Sequence, residues 1–526
     1  MPYYLGLDCS TQSLTALVVQ IDSDDRRTVF EHALRFDDEF PEYGTTNGVV
    51  RGPDPREVWS SPLMWAEALD RMMAIVSREG GFDLAQLAAV SGSGQQHGSV
   101  YLNVTAERAW RALDPKRSIA QIRGTFSRDE SPVWMDDSTR GQCDAIERAV
   151  GGMEALAQLT GSAATERFTG PQIRKFYETR REAYDRTWRV HLVSSYLASL
   201  LAGADAPIDP GDGAGMNLMD IRSRQWAPAA LDATAPTLAA KLPRIEPSWS
   251  IVGPLAPYWQ ARYGFPPAQV VAWSGDNPCS VVGSGLVHEG SIAISLGTSD
   301  TLFALTREPR ISAPGSNVFG SPTGGYMSLI CFKNGSLARE RIRDEHRLDW
   351  HGFSRALRET PAGNGGALML PWFEPEITPR VEHPGVRRRN LDPADAPASV
   401  RAVVEAQMMA MANHAAPAVT GAVTRVLATG GASANRDVLQ VMADAFGAAV
   451  YQAATGNAAC LGAALRAYHA HELARGRSLP WMEVVRGFTE PDEDSRVDPV
   501  GAHARLYEQL RASYARFERE ALHERA

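Results

Sequence analysis

The sequence predicts an α/β protein built as two lobes of related design, and three observations predict it. Residues 3–19 (Tyr3-Tyr4-Leu5-Gly6-Leu7-Asp8, a polar turn, then Leu14-Thr15-Ala16-Leu17-Val18-Val19) read as an apolar strand, a turn and a second, branched strand. The same grammar returns at residues 291–305, where Ser291-Ile292-Ala293-Ile294-Ser295-Leu296 leads through Gly297-Thr298-Ser299 into Asp300-Thr301-Leu302-Phe303. Elsewhere strand and helix signals alternate, as expected of an α/β class whose strand ends carry the site. A unit repeated so far apart points to duplication, although two such hairpins also arise in unrelated α/β chains.

Each element follows in order. Residues 84–94 form a short strand running into the glycine turn Gly92-Ser93-Gly94. Residues 191–202 are apolar at helical spacing and stop at Gly203. Proline and tryptophan cluster between Pro243 and Pro267, with Trp249, Pro254, Pro257 and Trp259 among them, and mark the expected lobe boundary. The expected division is therefore residues 1–255, residues 256–490 and a helical tail over 491–526. Val270-Val271-Ala272 is a strand, after which Pro278 is placed to start a helix. Residues 401–415 and 436–446 are further helices, the second entered from Gly430-Gly431 and ended by Gly447.

The 526 residues allow three or four domains at roughly 150 residues each, or two large lobes. Hydrophobic residues make up 44% and charged ones 22%, enough apolar material for real cores. A net charge of −9 and a pI near 5.8 argue against a nucleic-acid partner, which calls for a basic stripe. The run Arg387-Arg388-Arg389 reads as a solvated loop. Lysine occurs only at 116, 175, 241 and 333, never before Ser or Thr after a glycine, so a Walker A loop is excluded. Five well-separated cysteines without a C-x-x-C pair disfavour zinc and disulfide frameworks and fit a reducing compartment. The N-terminus lacks a basic region followed by an apolar core, and no window approaches 18 apolar residues. The expectation is a cytoplasmic protein, monomer or homodimer, with no membrane or nucleic-acid partner.

Five segments could carry chemistry. Asp8-x-Ser10-Thr11 delivers a carboxylate from a strand to a turn of small hydroxyl residues, suited to a hydrated magnesium ion or to phosphate; it reads equally as a polar turn. Ser295 to Thr301 offers Gly297 for close backbone approach and Thr298 and Ser299 as donors. Thr429-Gly430-Gly431-Ala432-Ser433-Ala434-Asn435 leaves room for a flat ring or ribose, or is simply a tight strand-to-helix turn. In Gly275-Asp276-Asn277-Pro278 the carboxylate is either a general base or a helix cap. Gln95-Gln96-His97 between glycines suits a polyhydroxylated ligand. Trp134-Met135-Asp136-Asp137 and Glu166-Arg167 read by themselves as surface ion-pair candidates.

In this order these segments resemble the FGGY carbohydrate kinases of the actin-like ATPase superfamily, from about Leu5 to Tyr468. The likeness rests on residues 91–98, 131–136, 166–170, 215–218, 275–278, 295–303, 331–337 and 428–433, and is nearest to the eukaryotic-type branch that acts on xylulose. The resemblance implies a two-lobed actin-like ATPase with a ribonuclease-H-like core in each lobe and an interlobe cleft. It implies ATP-dependent phosphorylation of D-xylulose to D-xylulose 5-phosphate, with Mg2+. Asp276 matches the catalytic base and Asp8 the acidic residue near the metal. Ser10, Thr11 and Gln12 fall in the first phosphate turn, and Gly297 and Thr298 in the second. Gly430, Gly431 and Asn435 match the adenine-nucleotide segment, with Trp350 a ring packing on it. His97, Arg167, Asp276 and Asn277 match sugar-contacting positions, joined by Gln96 and Asp136.

Two departures stand out. Many relatives carry Lys or Arg four residues beyond the turn threonine, where this chain has Thr15, and many have Gly where it has Ser10. Two other readings remain open at this point: a kinase for another ketose or polyol such as ribulose, L-xylulose or glycerol, and a nucleotide-gated actin-like binding protein without a sugar pocket.

Overall fold

The computed structural model describes residues 1–22, 25–311, 316–453 and 456–524. The chain forms two compact units. The first comprises Met1–Val287, Val318–Tyr326 and Asn457–Thr489; the second comprises His288–Asn317, Met327–Gly456 and Glu490–Ala526. The Pro- and Trp-rich stretch around residue 255 is not a linker: Leu255, Tyr258, Trp259 and Phe265 are buried in the core of the first unit. Nor do the last residues stand apart. Tyr507, Leu510, Tyr514 and Phe517 of the helix Ala504–His523 are buried in the core of the second.

The first unit is organised around a mixed sheet of β1 (Tyr3–Cys9), β2 (Ser13–Ile21), β3 (Arg26–Arg35), β4 (Leu87–Gly94), β5 (Ile251–Pro254), β6 (Gln269–Val271) and β7 (Ser274–Gly275). The strand order is β5–β6–β4–β1–β2–β3, and β7 pairs with β4 as well. β1, β4, β6 and β7 are related by parallel pairings, whereas β1–β2 and β2–β3 are antiparallel. Both faces of the sheet are covered, which is why β1 and β2 read as near-continuous apolar runs rather than alternating ones. Leu5, Leu7, Leu14, Ala16 and Val18 face one core, and Tyr4, Leu17 and Val19 the other.

That second face is covered by the helix Ala458–Ala474, which comes from a distant part of the chain. It approaches so closely that only glycine fits. A Cβ on Gly6 of β1 would lie 2.1 Å from the Cys460 carbonyl oxygen. One on Gly462 would lie 1.9 Å from that of Cys279, and one on Gly283 would lie 1.8 Å from that of Ala458. The helix Asp276–Gly283 is thereby pressed backbone to backbone against Ala458–Ala474.

The second unit repeats the plan with β8 (Ser291–Leu296), β9 (Asp300–Thr306), β10 (Tyr326–Phe332), β11 (Arg425–Thr429) and β12 (Ala449–Gln452), in the order β10–β9–β8–β11–β12. β8 pairs antiparallel with β9 and parallel with β11, which in turn pairs parallel with β12. The hairpin β8–β9 thus occupies the place that β1–β2 holds in the first unit, and the duplication expected from the two hairpins is present in the sheets. Ile292, Ile294, Leu302 and Val426 pack with Val400, Val403 and Val404 of the helix Ala396–Ala415. That helix starts five residues before the periodic stretch, because Asp395 caps it by accepting from the Ala398 N–H and Pro397 sits in its first turn. The helices Val193–Ala202 and Arg436–Phe446 end, as expected, at left-handed Gly203 and Gly447.

Candidate active site

The parallel register of the first sheet brings three strand ends to one place. Asp8 of β1 lies opposite Ser93 of β4, which lies opposite Ser274 of β7; one step on, Cys9, Gly94 and Gly275 align. Carboxyl ends of adjacent parallel strands are where ligands bind in open α/β sheets. The glycines keep this edge thin. A Cβ on Gly275 would meet Gln96 Cγ at 2.4 Å, and one on Gly94 would meet the Ser194 nitrogen at 2.6 Å.

Asp276 is the first residue of the helix Asp276–Gly283, directly after β7. Its Oδ1 accepts from the Asn277 N–H (2.8 Å), from Asn277 Nδ2 (3.1 Å) and, more weakly, from the Gln96 N–H (3.3 Å). Asn277 Nδ2 also donates to Gln96 Oε1 at 2.9 Å. Burial outweighs these hydrogen bonds and pushes the Asp276 carboxyl up to about 6. Asp8 receives a 2.6 Å hydrogen bond from Ser93 Oγ and is pushed up to about 7, by burial first and by the charge of Asp276 as well.

His97 follows in the loop after β4, at a left-handed φ of 73° that a side-chain-bearing residue adopts only when its surroundings impose it. Its Nδ1 lies 2.9 Å from the Gly215 carbonyl oxygen. A carbonyl can only accept, so Nδ1 carries the proton. Burial, assisted by Arg167, pushes the ring down to about 3. The neutral imidazole therefore presents Nε2 as an open acceptor. The ring packs at 4.4 Å on Phe168, and a Cβ on Gly215 would crowd it at 2.8 Å. Arg167, beside it, has no hydrogen-bond or ion-pair partner among the described residues.

Asp136 is placed differently. Its carboxylate accepts from the Val58 N–H (3.1 Å), the Ser138 N–H (3.0 Å), the Ser138 hydroxyl and Gln172 Nε2 (2.8 Å). Gln172 also donates to the Glu166 carbonyl, so Asp136 and Gln172 fix the loop that carries Arg167. The turn between β1 and β2 is closed by the Ser10 N–H donating to the Ser13 carbonyl at 2.9 Å. Ser10 Oγ bonds to Ser13 as well, and Gln12 is exposed, its carbonyl accepting from the Phe36 N–H. Thr15 sits on β2 opposite Asp8 and is buried.

In the second unit, Gly297, Thr298, Trp350, Gly431 and Asn435 line one cavity of about 810 Å³, together with Arg339, His351, Phe353, Ser354 and Arg358. Gly430, at φ 84°, backs it rather than lining it, since a Cβ there would lie 2.5 Å from the Leu296 carbonyl oxygen. Asn435 caps the helix Arg436–Phe446, accepting from the Asp437 N–H at 3.0 Å, and donates from Nδ2 to Ser354 Oγ at 2.8 Å. Trp350 is 45% exposed, with the Arg343 guanidinium 4.5 Å over its ring. The Gly297 turn is braced from beneath by a buried bidentate pair between Asp300 and Arg339, both bonds 3.1 Å.

Three placements are not foreseen by the sequence. Trp134, which reads there only as part of a charged surface segment, stands 44% exposed and donates from Nε1 to Thr11 Oγ1 at 2.8 Å. Gln95, the first of the triplet Gln95-Gln96-His97, is 1% exposed and accepts from the Thr11 hydroxyl at 3.3 Å. Asp212 is buried within the short turn Pro210–Gly213 and Asp209 is buried as its cap, and the Gly211 carbonyl of the turn accepts from Gln96 Nε2 at 3.5 Å. The spacing Asp209-x-x-Asp212 among glycines was the available signal.

The chain matches two models of known families. Residues 130–283 match the FGGY family of carbohydrate kinases, N-terminal domain, and residues 292–471 match its C-terminal domain. It is 44% identical to the xylulose kinase of Rattus norvegicus over 98% of this chain and 97% of the rat chain. It is 43% identical to xylulose kinase 2 of Arabidopsis thaliana over 89% and 87% of the two chains. The solved structure of a xylulose kinase from Rhodospirillum rubrum superposes with a TM-score of 0.81 at 20% identity, covering 99% of both chains, and so shares the fold. With such identity sustained along nearly the whole of both sequences, and each half of the kinase model matched in turn, the chain belongs to the FGGY family of carbohydrate kinases.

Proposed function

We infer that the protein transfers the γ-phosphoryl group of ATP to a hydroxyl of D-xylulose, giving D-xylulose 5-phosphate and ADP. The observation that carries the chemistry is Asp276, a half-buried carboxylate at the meeting of three strand ends, held by the Asn277 and Gln96 N–H groups. The sugar's identity comes from the xylulose kinases to which the chain is similar over nearly its full length.

Asp276 is the general base. As the sugar oxygen attacks the γ-phosphorus, the hydroxyl proton passes to the Asp276 carboxylate and the bond from phosphorus to the β,γ-bridging oxygen breaks, releasing ADP. His97 accepts a hydrogen bond from a sugar hydroxyl at Nε2, Arg167 donates to sugar oxygens, and Asn277 and Gln96 hold the base and the sugar loop in register. Asp136, whose oxygens already take internal donors, supports Arg167. Ser10, Thr11 and Gln12 form one phosphate turn; Gly297 and Thr298 form the other. Trp350, Gly430, Gly431 and Asn435 hold the nucleotide. Such a reaction is catalysed mainly by positioning and charge stabilisation.

Magnesium fits the donor set. Asp8 is a largely buried carboxylate bonded to Ser93 and without a basic partner among the described residues. No three ligating side chains converge among them, which suits an ion held through one carboxylate, water and substrate phosphates rather than by an all-protein cage. When bound, the ion supplies neutralisation of the phosphate charge.

ADP formation with ATP and Mg2+ is to be measured against D-xylulose, L-xylulose, D-ribulose, L-ribulose and glycerol. Stimulation by D-xylulose above the rest is expected. A preference for another member would replace the substrate and keep the mechanism, whereas release of ADP indifferent to every sugar would overturn the kinase reading. The pH dependence follows from the base. Asp276 acts as carboxylate, so kcat/KM should fall about tenfold per pH unit below about 6 and flatten above it. Because Asp8 and Asp276 feel each other's charge, the limb reports the pair. A profile flat from pH 5 to 8 would remove Asp276 from the role.

A further inference from the structure

An unbroken chain of hydrogen bonds joins the solvent-facing ring of Trp134 to the sugar loop through the phosphate turn. The indole N–H donates to Thr11 Oγ1 at 2.8 Å, and the Thr11 hydroxyl donates to Gln95 Oε1 at 3.3 Å. The Gln95 N–H donates to the Cys9 carbonyl at 2.8 Å, just ahead of Gln96 and His97. A threonine hydroxyl has one hydrogen. While it goes to Gln95, none is left for a phosphate oxygen. The other hydroxyl groups of the turn are likewise spent within it, Ser10 on Ser13. The Gln95 side chain is buried, yet its Nε2 has no hydrogen-bond partner among the described residues. The chain therefore has an idle donor at one end and an exposed ring at the other.

We propose that Trp134 is a positioning residue that pins the Thr11 hydroxyl toward Gln95 and so holds the phosphate turn out of use until sugar arrives. The proposal rests on the sugar-kinase reading above and deepens it. A sugar hydroxyl oxygen reaching the Nε1 edge of the exposed Trp134 ring competes for the indole N–H. Thr11, released, turns its O–H toward the γ-phosphate and Gln95 Nε2 takes up the vacated oxygen. Without sugar the competing reaction is hydrolysis. Water attacks the γ-phosphorus, its proton goes to Asp276, the bridging P–O bond breaks, and ADP and phosphate leave. Pinning Thr11 keeps that reaction slow.

Trp134→Phe keeps an apolar ring but removes the N–H, and so imitates the release permanently. The expected result is a rise of about 2- to 12-fold in the ratio of sugar-free ATP hydrolysis to D-xylulose phosphorylation, the kinetic weight of one hydrogen bond. Thr11→Val breaks the same chain at its middle and withdraws the phosphate donor. Hydrolysis in the double variant Trp134→Phe/Thr11→Val should therefore match that of Thr11→Val alone, the signature of two residues acting as one unit. A ring that serves only packing would leave the ratio unmoved in Trp134→Phe and the two changes additive, and either outcome overturns the proposal. Circular dichroism and the thermal midpoint establish that the variants fold. Failure of the parent reading shows separately, as wild-type protein that phosphorylates no sugar in the panel.

Discussion

Asp276→Asn is expected to lower sugar-dependent turnover by about 10²- to 10⁴-fold, the usual worth of a general base. The substitution keeps an oxygen to accept from the Asn277 and Gln96 N–H groups, so the local frame survives and the loss belongs to proton transfer. Nucleotide affinity should stay within about twofold, because the cavity lined by Gly297, Trp350 and Asn435 is built from residues of the other unit; ADP titration calorimetry checks this. The same variant carries a stability signature. Asp276 holds its proton more tightly folded, at about 6, than unfolded, near 4. Its contribution to stability is thus fully present below pH 4 and lost as pH rises through 6. Removing the charge should raise the thermal midpoint at pH 7, and the difference from wild type should shrink toward pH 4. A midpoint difference that grows on acidification would mean that Asp276 is stabilised as the anion, against the burial argument.

Gly462→Ala is expected to destabilise the first unit and weaken catalysis together. In an ordinary helix interior this change would stabilise by roughly 1 kcal/mol. Here the new methyl would lie 1.9 Å from the Cys279 carbonyl oxygen, with Gly283 N at 3.0 Å, so backbone meets backbone and no flexible side chain can yield. Overpacking of this kind costs about 1–3 kcal/mol and wins over propensity. The displaced segment is the helix Asp276–Gly283 itself, with Cys279 three residues from the base, so kcat should fall along with the thermal midpoint. Gly141→Ala is the control: that glycine lies in the helix Arg140–Val150 with nothing within 4 Å of its Cβ position. Equal midpoints for the two variants would refute the steric account.

How far the sequence alone reaches can be seen residue by residue. The two hairpins and the helix over 436–446 are local, written in branched runs, small polar turns and a terminal glycine. The order of motifs brought out the family, and from it came the expectations for Asp276, His97 and the glycine pair. What stayed hidden depends on parts of the chain far apart in sequence. Gly6, Gly283 and Gly462 are unremarkable as letters; their need for glycine exists only once the returning helix lies against the sheet. Trp134 among Met135, Asp136 and Asp137 looks like surface, because its partner is Thr11, more than a hundred residues earlier. The boundary failed for a related reason: Trp259 and Phe265 signal a core as well as a linker, and composition cannot tell which.

The return of the chain to the first unit sets a timetable for biosynthesis. The helix Ala458–Ala474, which closes one face of the sheet and braces the base-bearing helix, is made only after the whole of residues 288–456 has been synthesised. At ordinary elongation rates that is on the order of ten to thirty seconds during which Tyr4, Leu17 and Val19 lack their cover. A chain truncated anywhere before residue 457 lacks that cover, so an amino-terminal fragment ending at Val287 is expected to aggregate rather than fold as a free-standing domain, which its solubility on expression checks.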